Sequence, residues 1–384
     1  MNANLSRAQQ AFKELVTLRR DFHAHPELSW KERRTQQKIL EYLDKWGIPA
    51  VVSTGTGVIA TLEGARNKDV VLGIRADIDA LPLTEAAHPP YVSQNQGCMH
   101  ACGHDAHMSM GLAVCHWLMD NKDKLSGKVK ILFQPAEEGV RGAAGMAASG
   151  ILDDCDYFLS SHVAMLAKSG ELATNLYGFL CTTKYDVTFN GRASHAGVSP
   201  QEGRNALAAA ANATVQMLGI SRHGGGMTRI NIGQLVAGEG RNVIPSKAVM
   251  KLEVRGETME INNYMSEQVT NIVEGIAKGF SVTYDMRKMG EAVDLTADQE
   301  LIDILNESGR EVGLKVLDKP LNFGGSEDAT ILARRVQAHG GKAAFFVWGS
   351  DRPSGHHSAL FDIQEKDMAP AFDLWTHVLP KILK

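Results

Sequence analysis

Apolar positions recur at helical spacing through AQQAFKELVTLRRDFHAHPELSWKERRTQQKILEYLDKWG (8–47), with a break near Pro26 and a stop at Gly47. The period then changes. VIATLEG (58–64) and DVVLGIRADIDALP (69–82) are apolar runs that predict strands. HDAHMSMGLAVCHWLMDN (104–121) returns to helical spacing, and KVKILFQPAEEG (128–139) is a strand running into a turn. GAAGMAASGIL predicts a short helix and DYFLSSHV (156–163) a buried strand. Strands alternating with helices predict an α/β domain layered around a central sheet.

The pattern shifts at Thr182. TTKYDVTFNGRAS alternates as a strand, NALAAAANATVQML is a helix, and TRINIGQLVAG and KAVMKLEVRG are two further strands. INNYMSEQVTNIVEGIAKGF is a helix and SVTYDMRKMG the last strand, giving the order β-α-β-β-α-β of a ferredoxin-like unit. That unit is complete in itself, so 182–293 is expected to be an inserted domain. After it, helices at ADQELIDILNESGREV and SEDATILARRV, the strand KAAFFVWGS and a closing helix resume the α/β alternation. The expected division is therefore 1–181 with 294–384 as one domain and 182–293 as the insert.

The bulk numbers narrow the function classes. A chain of 384 residues, 44% hydrophobic and 22% charged, can build a large core. The net charge of −4 comes without a basic stripe, which argues against nucleic acid as a partner. No apolar run approaches the roughly 20 residues of a membrane span, and MNANLSRAQQAFKELVTLRR lacks the apolar centre of a signal peptide. Five cysteines match no disulfide framework. A soluble protein of the reducing cytoplasm is expected.

The candidate chemistry lies where apolar runs end. HACGHDAH (100–107) places Cys102 and His104 two apart, on one face if the segment is extended. Thiolate and imidazole together suit zinc and similar divalent ions, although Cys102 also reads as a small core residue and His104 as a cap. QPAEEG puts Glu137 and Glu138 at a strand end, where α/β sheets place their sites. Adjacent carboxylates point different ways, so one can bind metal while the other faces a substrate water. His162 ends the strand LSSHV, and His356 and His357 follow KAAFFVWGS. One such strand end means little by itself. Four of them from distant parts of one α/β domain argue for convergence. Ser326 in GGSEDAT reads as a helix N-cap followed by an acidic first turn.

MHACGHDAH, FQPAEEG, SHAG, RNVIP and HHS, in this order, resemble the M20 metallopeptidase family in its amidohydrolase branch, over essentially the whole chain. TTKYD, AGEGRNVIP, GSEDAT and GHH are more narrowly similar to the members that cleave aminobenzoyl-glutamate. The resemblance implies two divalent ions, Mn²⁺ or Zn²⁺, held by Cys102, His104, Glu138, His162 and His357. It implies Glu137 as general base, and His195 as an oxyanion donor reaching across a homodimer formed through the insert, which also serves as a lid. Asn242 would share that task, and Arg255 would clamp the substrate carboxylate. His100 and His107 are not ligands in this pattern. Asp77 and Asp79 would steady the ligands from behind, and Asp105 reads either as a further support or as a helix-capping residue. The implied reaction is hydrolysis of N-acyl amino acids, with a lean to glutamate or aspartate conjugates for which Arg229 or His223 offers a second cationic contact. Neutral N-acyl amino acids, as for an aminoacylase or hippurate hydrolase, are the alternative.

Other readings compete. A non-catalytic metal-binding scaffold would have no use for Glu137. A structural zinc site from Cys98, Cys102, His104 and His107 has cramped spacing. A cysteine hydrolase built on Cys102 would survive chelation.

Overall fold

The computed structural model describes residues 7–66 and 69–383, so the first six residues of the opening segment lie outside it. The helical spacing of that segment divides into α1 (Arg7–Ala24) and α2 (Arg33–Lys45). The break falls at HPELSWKE, where Pro26 has no N–H to donate and Trp30 turns the chain at φ 65°. There follow β1 (Ala50–Ser53), β2 (Gly57–Glu63), β3 (Val71–Asp77), α3 (His104–Asn121), β4 (Lys128–Gln134), α4 (Gly142–Ala148), β5 (Tyr157–Val163), β6 (Glu171–Ala173) and β7 (Leu176–Tyr177). The middle of the chain supplies β8 (Cys181–Asn190), α5 (Ala206–Leu218), β9 (Thr228–Ala237), β10 (Lys247–Gly256), α6 (Met259–Gly279) and β11 (Thr283–Ala292). The last third adds α7 (Gln299–Glu311), β12 (Lys315–Val316), β13 (Leu321–Asn322), α8 (Ala329–Ala338), β14 (Lys342–Trp348) and α9 (Met368–Ile382).

The chain divides into two compact units. One comprises the chain up to Tyr177 with Leu295–Phe323 and the stretch from Asp328 on; the other comprises Gly178–Asp294 with Gly324–Glu327. The first holds an eight-stranded sheet in the order β1-β2-β4-β3-β5-β14-β6-β12. Its central strands β4, β3, β5 and β14 all run parallel. Strands buried on both faces read as continuous apolar runs rather than alternating ones; β3 is buried along its whole length. The parallel arrangement brings the four carboxyl ends out on one side of the sheet. The last third does complete the first sheet, through β14.

The second unit is a four-stranded antiparallel sheet, β11-β8-β10-β9, with α5 and α6 packed on it in β-α-β-β-α-β order. Alternation along β10 explains it: Ala248, Met250, Leu252 and Val254 are buried, while Lys247 and Lys251 are exposed. Asn205 caps α5 by accepting from the Ala208 amide at 2.9 Å, and Thr258 caps α6. Among the described residues no helix is long and apolar enough to cross a membrane.

Ser326 is not the cap that its sequence context suggests. The helix starts three residues later, with Asp328 at the N-cap position, and the Ser326 hydroxyl donates to the Leu180 carbonyl at 2.7 Å instead.

Candidate metal centre

The carboxyl ends of the parallel strands build the site. β3 ends at Asp77 and the chain runs on to Asp79; β4 ends at Gln134, three residues before Glu137; His162 is the penultimate residue of β5; and the loop after β14 carries His356 and His357. Cys102 and His104 enter from the start of α3, but not on an extended segment. Gly103 between them lies at φ 91°, in the left-handed region, and a Cβ there would meet Val163 Cγ1 at 2.4 Å. Only glycine fits this turn, so the two ligands are brought together by a bend rather than by a pleat.

Cys102, His104 and His162 place ligand atoms within 4.8 Å of one another, as do His104, Glu137 and Glu138, and Cys102, Glu138 and His357. The three sets overlap, so all six sequence candidates of this unit fall in one place. Cys102 Sγ is 3.5 Å from His162 Nε2, and His357 Nε2 is 3.4 Å from Glu138 Oε1. His357 sits at φ 61°, and its amide donates to the Ala101 carbonyl at 2.8 Å, which ties one ligand loop to the other. His356 faces the same thiol, its Nδ1 3.8 Å from Cys102 Sγ.

Backbone acceptors set the histidine tautomers. His104 Nδ1 donates to the Asp79 carbonyl at 2.9 Å and His162 Nδ1 to the Val163 carbonyl at 2.9 Å, leaving each Nε2 lone pair for the site. His104 Nε2 is buried without a hydrogen-bond partner. His107 is different: Nδ1 meets Asp77 Oδ1 at 2.6 Å and Nε2 accepts from the Val163 amide at 2.9 Å. Both nitrogens are used, so His107 buttresses the site rather than ligating. Asp77 is itself held by Arg75 Nη1 at 2.6 Å, and Arg75 reaches Asp328 on its other side at 3.2 Å.

The electrostatics suit a cation. Burial opposes an imidazolium at His104, yet Asp77, Cys102 and Asp79 outweigh it and hold the ring well above its ordinary pKa. Burial pushes the Cys102 thiol up and dominates the lowering at His162. A pocket that draws a proton onto one histidine, keeps another neutral and disfavours a lone thiolate fits divalent metal, which would displace the proton and stabilise the thiolate. His100 is buried, with both ring nitrogens unpartnered, and burial brings it down to about 3.

Asp79 shapes the glutamate turn. Its Oδ1 accepts from the Glu137 amide and its Oδ2 from the Glu138 amide, both at 3.0 Å, and Ser29 Oγ donates to Oδ2 at 2.7 Å. Glu32 takes the preceding Ala136 amide at 2.9 Å. The turn needs this support, since Ala136 and Val140 both lie in the left-handed region, at φ 52° and 57°. Asp79→Asn would set an amide donor against one of the two backbone donors. Metal affinity or activity should fall about 10–100-fold with the fold retained. Chelator-competition titration and circular dichroism test this; unchanged metal affinity and turnover would remove Asp79 from the support of the site.

His195, Asn242 and Arg255 lie in the second unit. His195 is exposed, and its Nδ1 accepts from the Gly197 and Val198 amides at 3.2 and 3.1 Å. The proton is therefore on Nε2, which is a donor. Asn242 lies in the adjoining turn: its carbonyl accepts from the Ala196 amide at 2.9 Å, and the next residue, Val243, forms an isolated bridge with His195. Arg255 is half-buried on β10, opposite Arg229 of β9, and bonds Glu253 at 3.0 Å.

Sequence reasoning gave no role to Ser29, Glu32, Arg75 or Arg141, whose guanidinium holds the Glu138 carbonyl at 2.9 Å. The available signal was RADID at a strand end, which marks the carboxylates but not their partners.

The profile of peptidase family M20/M25/M40 matches residues 73–381. The chain is 44% identical over 417 residues to a Haemophilus influenzae protein named as a homolog of one of the subunits of p-aminobenzoyl-glutamate hydrolase, covering 96% of this chain and 98% of that one. It is 36% identical to an indole-3-acetyl-aspartic acid hydrolase of Enterobacter agglomerans, covering 95% of each. A crystal structure of a dinuclear metal-binding peptidase of the M20 family from Bacillus subtilis superposes with a TM-score of 0.74 at 25% identity, covering 97% of this chain and 99% of that one.

Proposed function

The chain belongs to peptidase family M20/M25/M40, and on that footing we propose a dinuclear amidohydrolase that cleaves acyl conjugates of acidic amino acids. It is a metal-dependent hydrolase of N-acyl amino acids. The observation that carries the reading is the meeting of Cys102, His104, His162, Glu137, Glu138 and His357 at the carboxyl ends of parallel strands. Five of these would hold two ions, Mn²⁺ or Zn²⁺ by ligand type, which leaves Glu137 without a ligand's task. The bound ions would polarise the scissile carbonyl and make water a nucleophile near neutral pH.

The protein's own groups do the rest. Glu137 takes the proton of the attacking water and delivers it to the leaving nitrogen. His195 Nε2–H and the Asn242 side chain stabilise the oxyanion. Segments 1–181 and 294–384 act as the catalytic domain, and 182–293 as lid and dimer contact. A homodimer is supported by the exposed Leu207, Val215 and Leu218 of α5 and the exposed Leu235 and Val236 of the edge strand β9. Five free, buried cysteines support a reducing, cytoplasmic setting.

Arg255 is the partner of the α-carboxylate. Two observations support an acidic side chain beyond it: Arg229 stands directly opposite across the strands, and two relatives are named for glutamate and aspartate conjugates. The test compares kcat/KM for N-acyl-glutamate, -aspartate, -alanine and -leucine with one acyl group, in metal-loaded and chelator-stripped protein. Acidic substrates should lead by ~10²-fold or more, the scale of a truncated charge contact at about 2–5 kcal/mol. A clear lead for neutral substrates would make this a general aminoacylase. Turnover that survives chelation would remove the metal reading.

A further inference from the structure

We propose that Arg19 of α1 is a positioning residue for the metal centre, its guanidinium fastening the first turn of α3, which carries His104, to the loop that carries His357. This rests on the metal reading above. The Arg19 side chain is 1% exposed and bonds in three directions. Nε donates to Asp105 Oδ2 at 3.0 Å, and Asp105 directly follows the ligand His104. Nη2 donates to Asp362 Oδ1, five residues beyond His357. Nη1 donates to Glu365 Oε1 and to Tyr91 Oη, both at 3.3 Å. Tyr91 in turn donates to the other Asp362 oxygen at 2.9 Å, which closes a ring through Arg19.

The arrangement has a physical requirement. Asp105, which is buried, and Asp362 and Glu365, which are partly buried, converge on one guanidinium, where their mutual repulsion is only partly screened by solvent. A planar guanidinium can answer three carboxylates in fixed directions; an ammonium cannot hold the same geometry. His23, one turn along the same helix, adds to the clamp: Nδ1 meets Asp105 Oδ2 at 2.8 Å and Nε2 meets Glu85 Oε1 at 3.3 Å. Near the ligands themselves the two segments share the His357 amide to Ala101 carbonyl bond. Arg19 is a second tie, made through Asp105 and Asp362. A buried charge pair is often no net source of stability, and its use here is geometric. Without it the spacing between the His104 and His357 ligand atoms is no longer held, and a dinuclear site depends on that spacing.

Arg20 provides the control. Its exposed guanidinium bonds Glu365 at 2.9 and 2.7 Å and lies over the Tyr91 ring, 5.1 Å from its centroid, without the bonds to Asp105 and Asp362 that Arg19 makes. The experiment strips metal from full-length parent, Arg19→Met, Arg19→Lys and Arg20→Met proteins, then titrates Mn²⁺ against a chromophoric chelator. Melting temperature, kcat and KM are recorded alongside. Arg19→Met should bind Mn²⁺ about 10–100-fold more weakly, with kcat falling more than KM rises. Arg19→Lys should recover part of the affinity, and Arg20→Met should stay within about twofold of the parent, as expected for an exposed pair. A lower melting temperature with parental Mn²⁺ affinity, or Arg19→Lys no better than Arg19→Met, overturns the proposal in favour of a purely structural role. If Arg19→Met does not fold, Asp362→Asn removes one arm of the clamp; it should weaken Mn²⁺ binding, and unchanged binding overturns the proposal. A parent that binds no Mn²⁺ or Zn²⁺ overturns the metal reading itself, and this one with it.

Discussion

Glu137→Gln protein should bind Mn²⁺ as tightly as the parent and turn over ~10²–10⁴-fold more slowly, the usual contribution of a general base. Glu138→Gln protein should lose metal affinity as well as turnover. The two residues are adjacent and both come close to His104, but only Glu138 also shares a ligand set with Cys102 and His357. Glu138 approaches His357 at 3.4 Å and shares a ligand set with Cys102. Glu137 is mostly buried, with Oε2 3.9 Å from His104 Nε2. Both backbone amides are held by Asp79, so a change of one side-chain oxygen to nitrogen leaves the turn intact. Glutamine keeps shape and removes basicity. The measurement is metal stoichiometry and affinity by chelator competition, beside kcat on one N-acyl substrate. Equal loss of metal in both variants would contradict the division of labour, since a base that is not a ligand has no reason to affect metal content.

Much of the centre was legible because its strands are buried on both faces. Such strands read as unbroken apolar runs, and a polar residue at the end of one stands out. Glu137, Glu138, His162 and the pair His356–His357 stand out that way, at or beyond the carboxyl ends of β4, β5 and β14; the choice of His357 over His356 rests on the family resemblance. The bend between Cys102 and His104 was not legible. Alternation arithmetic assumes a pleat, whereas Gly103 turns the chain at φ 91°. Ser326 misled for a related reason: a small hydroxyl residue before an apolar stretch is a cap only if the helix starts there, and Asp328 takes that place. Arg19 and Arg20 show the deeper limit. They are adjacent in a helix with ordinary amphipathic spacing, and both resemble solvated surface charges. One is buried because its partners come from 86 and 343 positions along the chain. Local pattern carries no information at that separation. The short strands β1, β6, β7, β12 and β13, two to four residues each, are missed because no period can be read in so few positions.

His195→Ala should lower kcat ~10²–10³-fold, the scale of one lost oxyanion donor, without changing metal content. Its chemistry is prepared locally. Two backbone amides donate to Nδ1, so the ring offers its remaining N–H outward, and the adjoining bridge to Val243 fixes the loop that presents it. His195 belongs to one unit, whereas all six residues of the metal centre belong to the other. The proposed dimer gives a decisive test, because residues acting in the same chain and across chains behave differently in mixtures. Equal amounts of inactive His195→Ala and Glu137→Gln proteins are mixed and allowed to exchange subunits. If His195 serves its partner's site, each mixed dimer holds one site with Glu137 from the first protein and His195 from the second. Random pairing in a twofold dimer then restores about a quarter of parental activity. If His195 serves its own chain, every site in the mixture lacks one residue or the other and nothing is restored. Exchange is followed independently by native mass spectrometry of chains carrying different tags. Mixed dimers without recovered turnover would end the cross-subunit role and leave the metal centre and Glu137 to account for catalysis within one chain.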